Sequence, residues 1–301
     1  MAECIGDIKG IGKKTEQSLN DNDINTINDL ANADIEDITD CGISASRAKD
    51  MKYRASQSTI QIQTGVEVQE EYNNKRKVTS NIEKLDNALE GGFEEGAVVS
   101  IWGLSGVGKS QLAQKVLVEG YEQWEDPAIL IETEKDRLRP ERIQNLASSK
   151  NTINNIHRVK AYSIDQQYSS YDKIIEQFEE ASVVVVDSLT ARIRLSSEFD
   201  GRGTLSERSD ELGRHLIKLE EVGERLNCPV LFTNQAYRNP DSYGKNVLQY
   251  GGAKIKHSSQ FHIHMSKSKG DLFEAEVQHH PSTGDTQVLI DIGDEDITGV
   301  E

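Results

Sequence analysis

Gly103-Leu104-Ser105-Gly106-Val107-Gly108-Lys109-Ser110 is the stretch that decides the fold of this chain. The apolar run Ala97-Val98-Val99-Ser100-Ile101-Trp102 precedes it, and Gln111-Leu112-Ala113-Gln114-Lys115-Val116-Leu117 follows. Strand, G-x-x-x-x-G-K-[ST] loop and helix, in that order, are the setting in which a phosphate-binding loop works. The glycines let backbone N–H groups turn inward around phosphate oxygens, where a side chain would clash. Lys109 supplies a point charge for the β- and γ-phosphates, and Ser110 offers a hydroxyl to Mg²⁺. Average residue usage makes a chance match of order one in a hundred for a chain this long. Gly103 to Gln111 therefore predicts a bound nucleoside triphosphate.

Downstream, Ser182-Val183-Val184-Val185-Val186-Asp187 is a continuous β-branched run, suited to a strand buried on both faces. A carboxylate at its C-terminal end points into the crevice where open α/β sheets bind ligands, and there Asp187 can hold Mg²⁺ through water. Hydrolysis also needs a group that orients or deprotonates water. Glu132 and Glu134 follow the strand Ala128 to Glu132; alternation places both on one face with Thr133 opposite, and either can serve. Strands at Ile156–Tyr162 and Pro229–Thr233, with helices at Tyr171–Glu180 and Leu205–Leu226, complete a mostly parallel sheet with helices on both faces. Phe261–Met265, Leu272–Gln278 and Gln287–Ile292 read as an antiparallel C-terminal extension.

Upstream, residues 1–56 read as a small all-α domain. Ile8-Lys9-Gly10-Ile11-Gly12-Lys13-Lys14 is an apolar-Gly-Ile-Gly turn of helix-hairpin-helix kind, partly repeated at Cys41-Gly42-Ile43. In such turns Gly10 and Gly12 approach a DNA phosphate and Lys13 assists; a plain αα-hairpin is the alternative. Residues 57–77 are polar and read as a linker ending in an edge strand or short helix. A helix from Val78 to Gly92 opens the ATPase domain, 78–301. No apolar run reaches the ~20 residues of a membrane span, and the start lacks a signal-peptide core, so a cytoplasmic protein is expected. Cys4, Cys41 and Cys228 suggest neither disulfides nor zinc.

The formal net charge of −17 argues against nucleic acid on its face. It also suits a high-salt habitat, where a Debye length of ~3 Å stops global charge from steering anything. Local charge then decides. Residues 236–269 hold six bases (Arg238, Lys245, Lys254, Lys256, Lys267, Lys269) and one acid, whereas 270–301 hold nine acids and no Lys or Arg. Tyr237, Tyr243 and Tyr250 lie among those cations, as single-strand binding uses them. Gly251-Gly252 make the segment flexible, and Arg202 and Arg208 flank a second basic loop. His262 and His264, on one strand face, and His279-His280 read as solvent-facing positions rather than a metal site.

AILIETEKDRLRPERI (128–143), VVVVDSLTARIRLSSEFDGRGTLSER (183–208) and Thr233-Asn234-Gln235 resemble the archaeal RadA recombinases, relatives of bacterial RecA. The resemblance spans nearly the whole chain. It implies a helix-hairpin-helix domain followed by a RecA-like core, with ATP and Mg²⁺ as cofactors. By the same likeness Glu134 is the catalytic glutamate, Arg142 stacks on adenine and Gln235 senses the γ-phosphate. Arg194–Arg208 and Ala236–Gly252 are the DNA-binding loops, and Pro281 belongs to an ATP-capping segment. Single- and double-stranded DNA, further copies of the chain in a filament or ring, and other recombination proteins are the implied partners; strand exchange is the implied activity. The chain departs at Ile62-Gln63-Thr64-Gly65, where the family has a Phe-x-x-Ala polymerisation motif, at Ala253 in place of a histidine, and at His279 in place of an aspartate. The alternative is a paralogue that binds ATP and DNA and modulates the main recombinase without exchanging strands.

Overall fold

A computed structural model describes residues 4–22, 24–135, 138–199, 202–238 and 247–300, with the side chains of 198 and 202 left aside. The chain divides into two compact units, Met1–Asn74 and Lys75–Glu301.

The first unit holds helices α1 (Lys13–Asn20), α2 (Ile27–Asn32), α3 (Ile35–Asp40), α4 (Ala45–Thr59) and α5 (Gly65–Asn74). Its core is small: Leu19, Leu30, Ile38, Ala48, Met51 and Ala55 are all buried. The short α2 is held by a capping box, with Thr26 Oγ1 accepting from Asp29 N at 3.0 Å and Asp29 Oδ2 accepting from Thr26 N at 2.8 Å. The polar stretch after residue 57 is not simply a linker. The fourth helix continues to Thr59, and α5 occupies ten residues without burying any of them.

The second unit opens with β1 (Lys77–Val78), α6 (Glu83–Ala88) and β2 (Phe93–Glu94). The expected helix from Val78 to Gly92 is thus cut to six residues, because Val78 pairs with Phe93 and the Ser80 N–H and hydroxyl both bond Asp86 Oδ1. Then come β3 (Val98–Gly103), α7 (Lys109–Trp124), β4 (Ala128–Glu132), α8 (Pro140–Leu146), α9 (Lys150–Asn154) and β5 (Ile156–Lys160). They are followed by α10 (Ile164–Gln177), β6 (Val183–Asp187), α11 (Ala191–Leu195), α12 (Leu205–Arg225), β7 (Val230–Arg238) and β8 (Val247–Gln249). α13 (Gly252–Ser258), β9 (Phe261–Lys267), β10 (Phe273–Gln278), β11 (Thr286–Ile292) and β12 (Ile297–Gly299) close the unit.

The main sheet runs β12-β11-β10-β9-β3-β7-β6-β4-β5, with β8 paired to β7 at one end. From β9 to β5 every neighbour is parallel; β9 to β12 are antiparallel. Phe261–Lys267 therefore belongs to both sets, parallel to β3 and antiparallel to β10. Period-2 alternation explains why the strands read as unbroken apolar runs. Val183 and Val185 pack with Leu112 and Val116 of α7, whereas Val184 and Val186 pack with Tyr171, Leu216 and Leu219 of α10 and α12. Each face is covered by helices, so every β6 residue is buried. α10 begins seven residues earlier than its apolar pattern suggests, because Ser163 Oγ caps Gln166 N at 3.0 Å. No described helix is long and apolar enough to cross a membrane.

Candidate functional site

Two local constraints shape the turn from β3 to α7. A Cβ on Gly103 would lie 2.2 Å from the Met265 carbonyl oxygen of the neighbouring β9, so nothing larger fits between the strands there. Gly108 caps α7 at φ +89, where a Cβ would lie 2.2 Å from Ile292 Cδ1. The turn opens on a cavity of about 1000 Å³, lined by Ser105, Gly106, Gly108, Lys109, Ser110 and Gln111. Leu104 and Val107 instead pack into the hydrophobic core, and Gly103 stays in the strand. Lys109 is buried, and its Nζ donates to Gly103 O at 3.0 Å and Leu104 O at 2.7 Å.

Opposite, Asp187 ends β6 and lines the same cavity. Thr233 Oγ1, from the adjacent β7, donates to Asp187 Oδ1 at 2.5 Å and fixes that carboxylate's orientation. Thr133 ties β4 to β6: its N–H donates to Asp187 O at 3.0 Å, and its hydroxyl bonds Ser188 O at 2.7 Å and Ser188 N at 2.8 Å. Arg192 Nε donates to the Thr133 carbonyl.

The two glutamates part company here. Glu132 is 0 % exposed and spends its carboxylate on structure: Arg158 at 2.6 Å, Tyr162 Oη at 3.2 Å and Leu138 N at 3.0 Å. Glu134 lies beyond the strand's end, so alternation does not carry to it; it lines the cavity and pairs with Arg194 at 3.9 Å. Arg142, in the first turn of α8, is buried, with Nη1 donating to Gly293 O at 2.5 Å and Asp294 O at 2.7 Å. Its Nε and Nη2 have no hydrogen-bond partner among the described residues. The cavity's donor set suits the groups expected. Its glycine cradle and buried Lys109 fit a triphosphate. Ser110 and Asp187 are oxygen donors of the kind that bind Mg²⁺ together with phosphates and water, and no described group of three His, Cys, Asp or Glu competes as a metal cage.

A second cavity, of about 570 Å³, lies between the start of α12 and the β7–β8 hairpin. It brings together Arg194, Arg208, Tyr237, Gly251 and Gly252, drawn from both basic loops. Gln235 and Arg194 line both cavities. The hairpin's base is anchored to the β6 end: Thr190 Oγ1 donates to Asn234 Oδ1 at 2.8 Å, and Asn234 Nδ2 donates to Tyr250 O at 2.8 Å. Arg208 Nη2 donates to Phe199 O. Arg238 ends β7, exposed, and Arg202 starts a short 3-10 turn. Tyr243 and Lys245 lie outside the described residues.

Other expected residues stand apart. Pro281 is exposed on the β10–β11 turn and does not line the cavity that holds Lys109 and Asp187. In the first unit Gly10, Gly12 and Lys13 are exposed, with Arg54 Nη1 donating to Lys9 O at 2.6 Å beneath the turn. Ile62 is 95 % exposed, and a Cβ on Gly65 would meet nothing within 4 Å. The solvent-facing placement of the strand histidines is overturned at His262, which is 1 % exposed with both ring nitrogens unpartnered among the described residues. Burial pushes its pKa down to about 4. His264 is half-buried and stacks on Trp102 at 4.0 Å. Sequence reasoning passed over Thr133, Thr190, Thr233 and Asn234. Their signal was position: polar residues that follow the apolar runs of β4, β6 and β7, towards the carboxyl edge where such sheets bind ligands.

Comparison with known proteins agrees with this architecture. Residues 5–55 match the family model of the SAM-like helix-hairpin-helix tandem. A "DNA repair and recombination protein RadA" from Methanococcus maripaludis is 31% identical, with 99% of each chain covered. Proteins of that name from Methanococcus voltae and Halobacterium salinarum are 29% and 28% identical, over 99% and 97% of this chain and the same shares of theirs. The Rad51 family model matches residues 73–300, from just ahead of β1 to the last described residue. A match of that extent, laid over a parallel sheet with its phosphate loop and Asp187 at one edge, means that the chain belongs to the Rad51 family.

Proposed function

We propose that this protein is a DNA-dependent ATPase that binds single-stranded DNA, assembles on it with further copies of itself, and promotes homologous pairing and strand exchange. One observation carries the reading: Arg194 and Gln235 line both the nucleotide cavity and the cavity between the basic loops, and Arg194 pairs with Glu134 across the first. A change at either cavity is felt at the other through those two side chains.

Lys109 and the backbone N–H groups of the loop hold the triphosphate, and Arg142 flanks the place of its base. Ser110 and Asp187 would hold Mg²⁺, which would neutralise charge on the phosphates. Glu134 orients the attacking water and takes its proton. Thr233 and Thr133 keep Asp187 and the Glu134 segment in register. Since Pro281 does not reach the cavity of its own chain, its ATP contact belongs to a neighbouring copy in the assembly. The relatives' shared name, DNA repair and recombination protein, supports the same reading. The setting is the cytoplasm.

The test is ATP turnover with and without single-stranded DNA across a salt series. Stimulation by DNA is expected, together with loss of turnover in Lys109→Ala and Glu134→Gln. A turnover rate that DNA leaves unchanged at every salt overturns the reading. A second reading, a paralogue that binds ATP and DNA and modulates another recombinase, draws support from Ile62 and Gly65, where an aromatic anchor and a methyl are missing. Electron microscopy with ATP and single-stranded DNA separates the two, because long regular filaments of this protein alone exclude the second.

A further inference from the structure

The turn between β11 and β12 is fastened to the phosphate-loop helix by a buried cation. Lys115, farther along α7 than Lys109, is 3 % exposed. Its helix neighbours Leu112, Val116 and Leu117 belong to the hydrophobic core. An ammonium in such a place loses its hydration, and a buried ion pair is often no more stable than apolar residues of the same volume. Packing alone therefore does not account for a lysine here. Its Nζ donates to Asp296 Oδ1 at 2.7 Å and to Glu119 Oε1 at 3.4 Å. Glu119 Oε2 accepts from Asn81 Nδ2 at 2.7 Å, so both oxygens of that carboxylate are engaged. Asp296 is the knot of the turn. The same Oδ1 accepts from Ile297 N at 2.6 Å, and its carbonyl accepts from Gly293 N at 3.0 Å.

On the other side of the turn, Gly293 O and Asp294 O accept the two hydrogen bonds of Arg142 Nη1. Arg142, Ile292, Gly293 and Asp294 all line the cavity that holds Lys109. The turn is thus a piece of cavity wall tied to two helices, to α7 through Lys115 and to α8 through Arg142. We infer that Lys115 is a positioning residue for the nucleotide's base: through Asp296 it sets the place of the turn, and through the turn's carbonyls it sets the guanidinium of Arg142. A guanidinium gains from a ring only when it lies over the ring's face, so a shift of the turn weakens that contact. One helix then serves both ends of the nucleotide, with Lys109 at the phosphates and Lys115 acting at the base. The inference rests on the reading above, in which the loop holds the phosphates and Arg142 flanks the base.

The experiment titrates the full-length protein with ATP and with inorganic tripolyphosphate, each with Mg²⁺, by calorimetry; the second ligand has the phosphates and no base. Wild type is expected to bind ATP ~10-fold more tightly, within the worth of one stacked base. Lys115→Met keeps the length of the side chain and removes its charge. It should lower that ratio ~5-fold, the low end of couplings between sites, while leaving tripolyphosphate affinity unchanged. Asp296→Asn retains an oxygen for Ile297 N, should lower the ratio as well, and serves if the methionine variant does not fold. Because both act through one contact, the double variant should lose no more than the larger single loss. An unaltered ratio in either folded variant overturns the inference, whatever happens to the melting temperature, and leaves the pair a structural one. Parallel loss of both ligands overturns it too, by placing the effect at the phosphate loop, and additive losses in the double variant overturn the shared contact. Equal binding of the two ligands by wild type removes the inference and leaves triphosphate binding standing. If wild type binds neither, the inference falls together with the nucleotide reading.

Discussion

At the level of single residues, Glu132 and Glu134 have identical chemistry and different surroundings. Glu132 is enclosed and neutralised by Arg158. Removing it in Glu132→Ala leaves Arg158 without its partner and should cost ~3 kcal/mol of stability in a urea titration, the low end for a broken buried pair, since Arg158 is partly exposed. Glu134→Gln should leave the melt nearly unchanged while slowing ATP turnover ~10²–10⁴-fold, the worth of a positioned general base. A stability loss in Glu134→Gln matching that of Glu132→Ala would reverse the assignment. Arg194 is the residue between the two sites. Its pair with Glu134 is long and partly exposed, worth at most ~1 kcal/mol. Arg194→Ala should therefore raise DNA-independent turnover by up to about fivefold and blunt stimulation by DNA. Steady-state rates with and without DNA check this, and a fall in the DNA-independent rate would show that Arg194 assists the chemistry instead of restraining it.

Among elements, β9 behaves least as its own sequence suggests. It carries two histidines on one face, a pattern that on an edge strand means solvent. In the sheet it lies between β3 and β10, and His262 is covered. Burial lowers its pKa, the Lys256 backbone carbonyl acts the other way, and the charges of His279 and Lys256 act with burial. His215 on α12 is buried as well, with Tyr171 Oη at 3.0 Å from Nδ1, and burial, then Arg214, lowers its pKa to about 4. Both groups bind fewer protons in the folded state than in the unfolded state. Their contribution to stability is thus full above the unfolded histidine value of ~6.5 and is lost as pH falls from there towards about 4, at no more than ~1.4 kcal/mol per pH unit for each. His262→Phe removes one of the two and keeps a ring at the site. Urea midpoints at pH 7 and pH 5 should lie closer together in the variant; an unchanged gap would mean that His262 does not titrate on unfolding.

For the whole molecule, assembly is the property that this chain puts in question. Ile62 stands 95 % exposed where the family resemblance implies an aromatic anchor, and Gly65, the first residue of α5, has open space for a methyl. Ile62→Phe with Gly65→Ala should tighten self-association by ~1–3 kcal/mol per interface. Sedimentation at matched concentration measures this, and equal profiles for variant and wild type would show that the segment is not an interface. The parts legible without a structure were those whose chemistry is contiguous. Gly103 to Ser110 must be adjacent to wrap a phosphate, Asp187 must end its strand, and the valines before it must be unbroken because both faces of the sheet are covered. Those local demands leave a local record, so the doubly covered parallel sheet, and the loop and Asp187 that line the cavity proposed for a nucleotide, could be read directly. Tertiary structure decided what depends on neighbours far along the chain. Arg158, brought by the pairing of β4 with β5, took Glu132 out of contention; β3 and β10 closed over His262; the β10–β11 turn left Pro281 outside its own cavity. Burial and pairing are properties of what a residue meets, and a residue's partners here lie from tens of positions to more than a hundred positions away, where no spacing rule reaches.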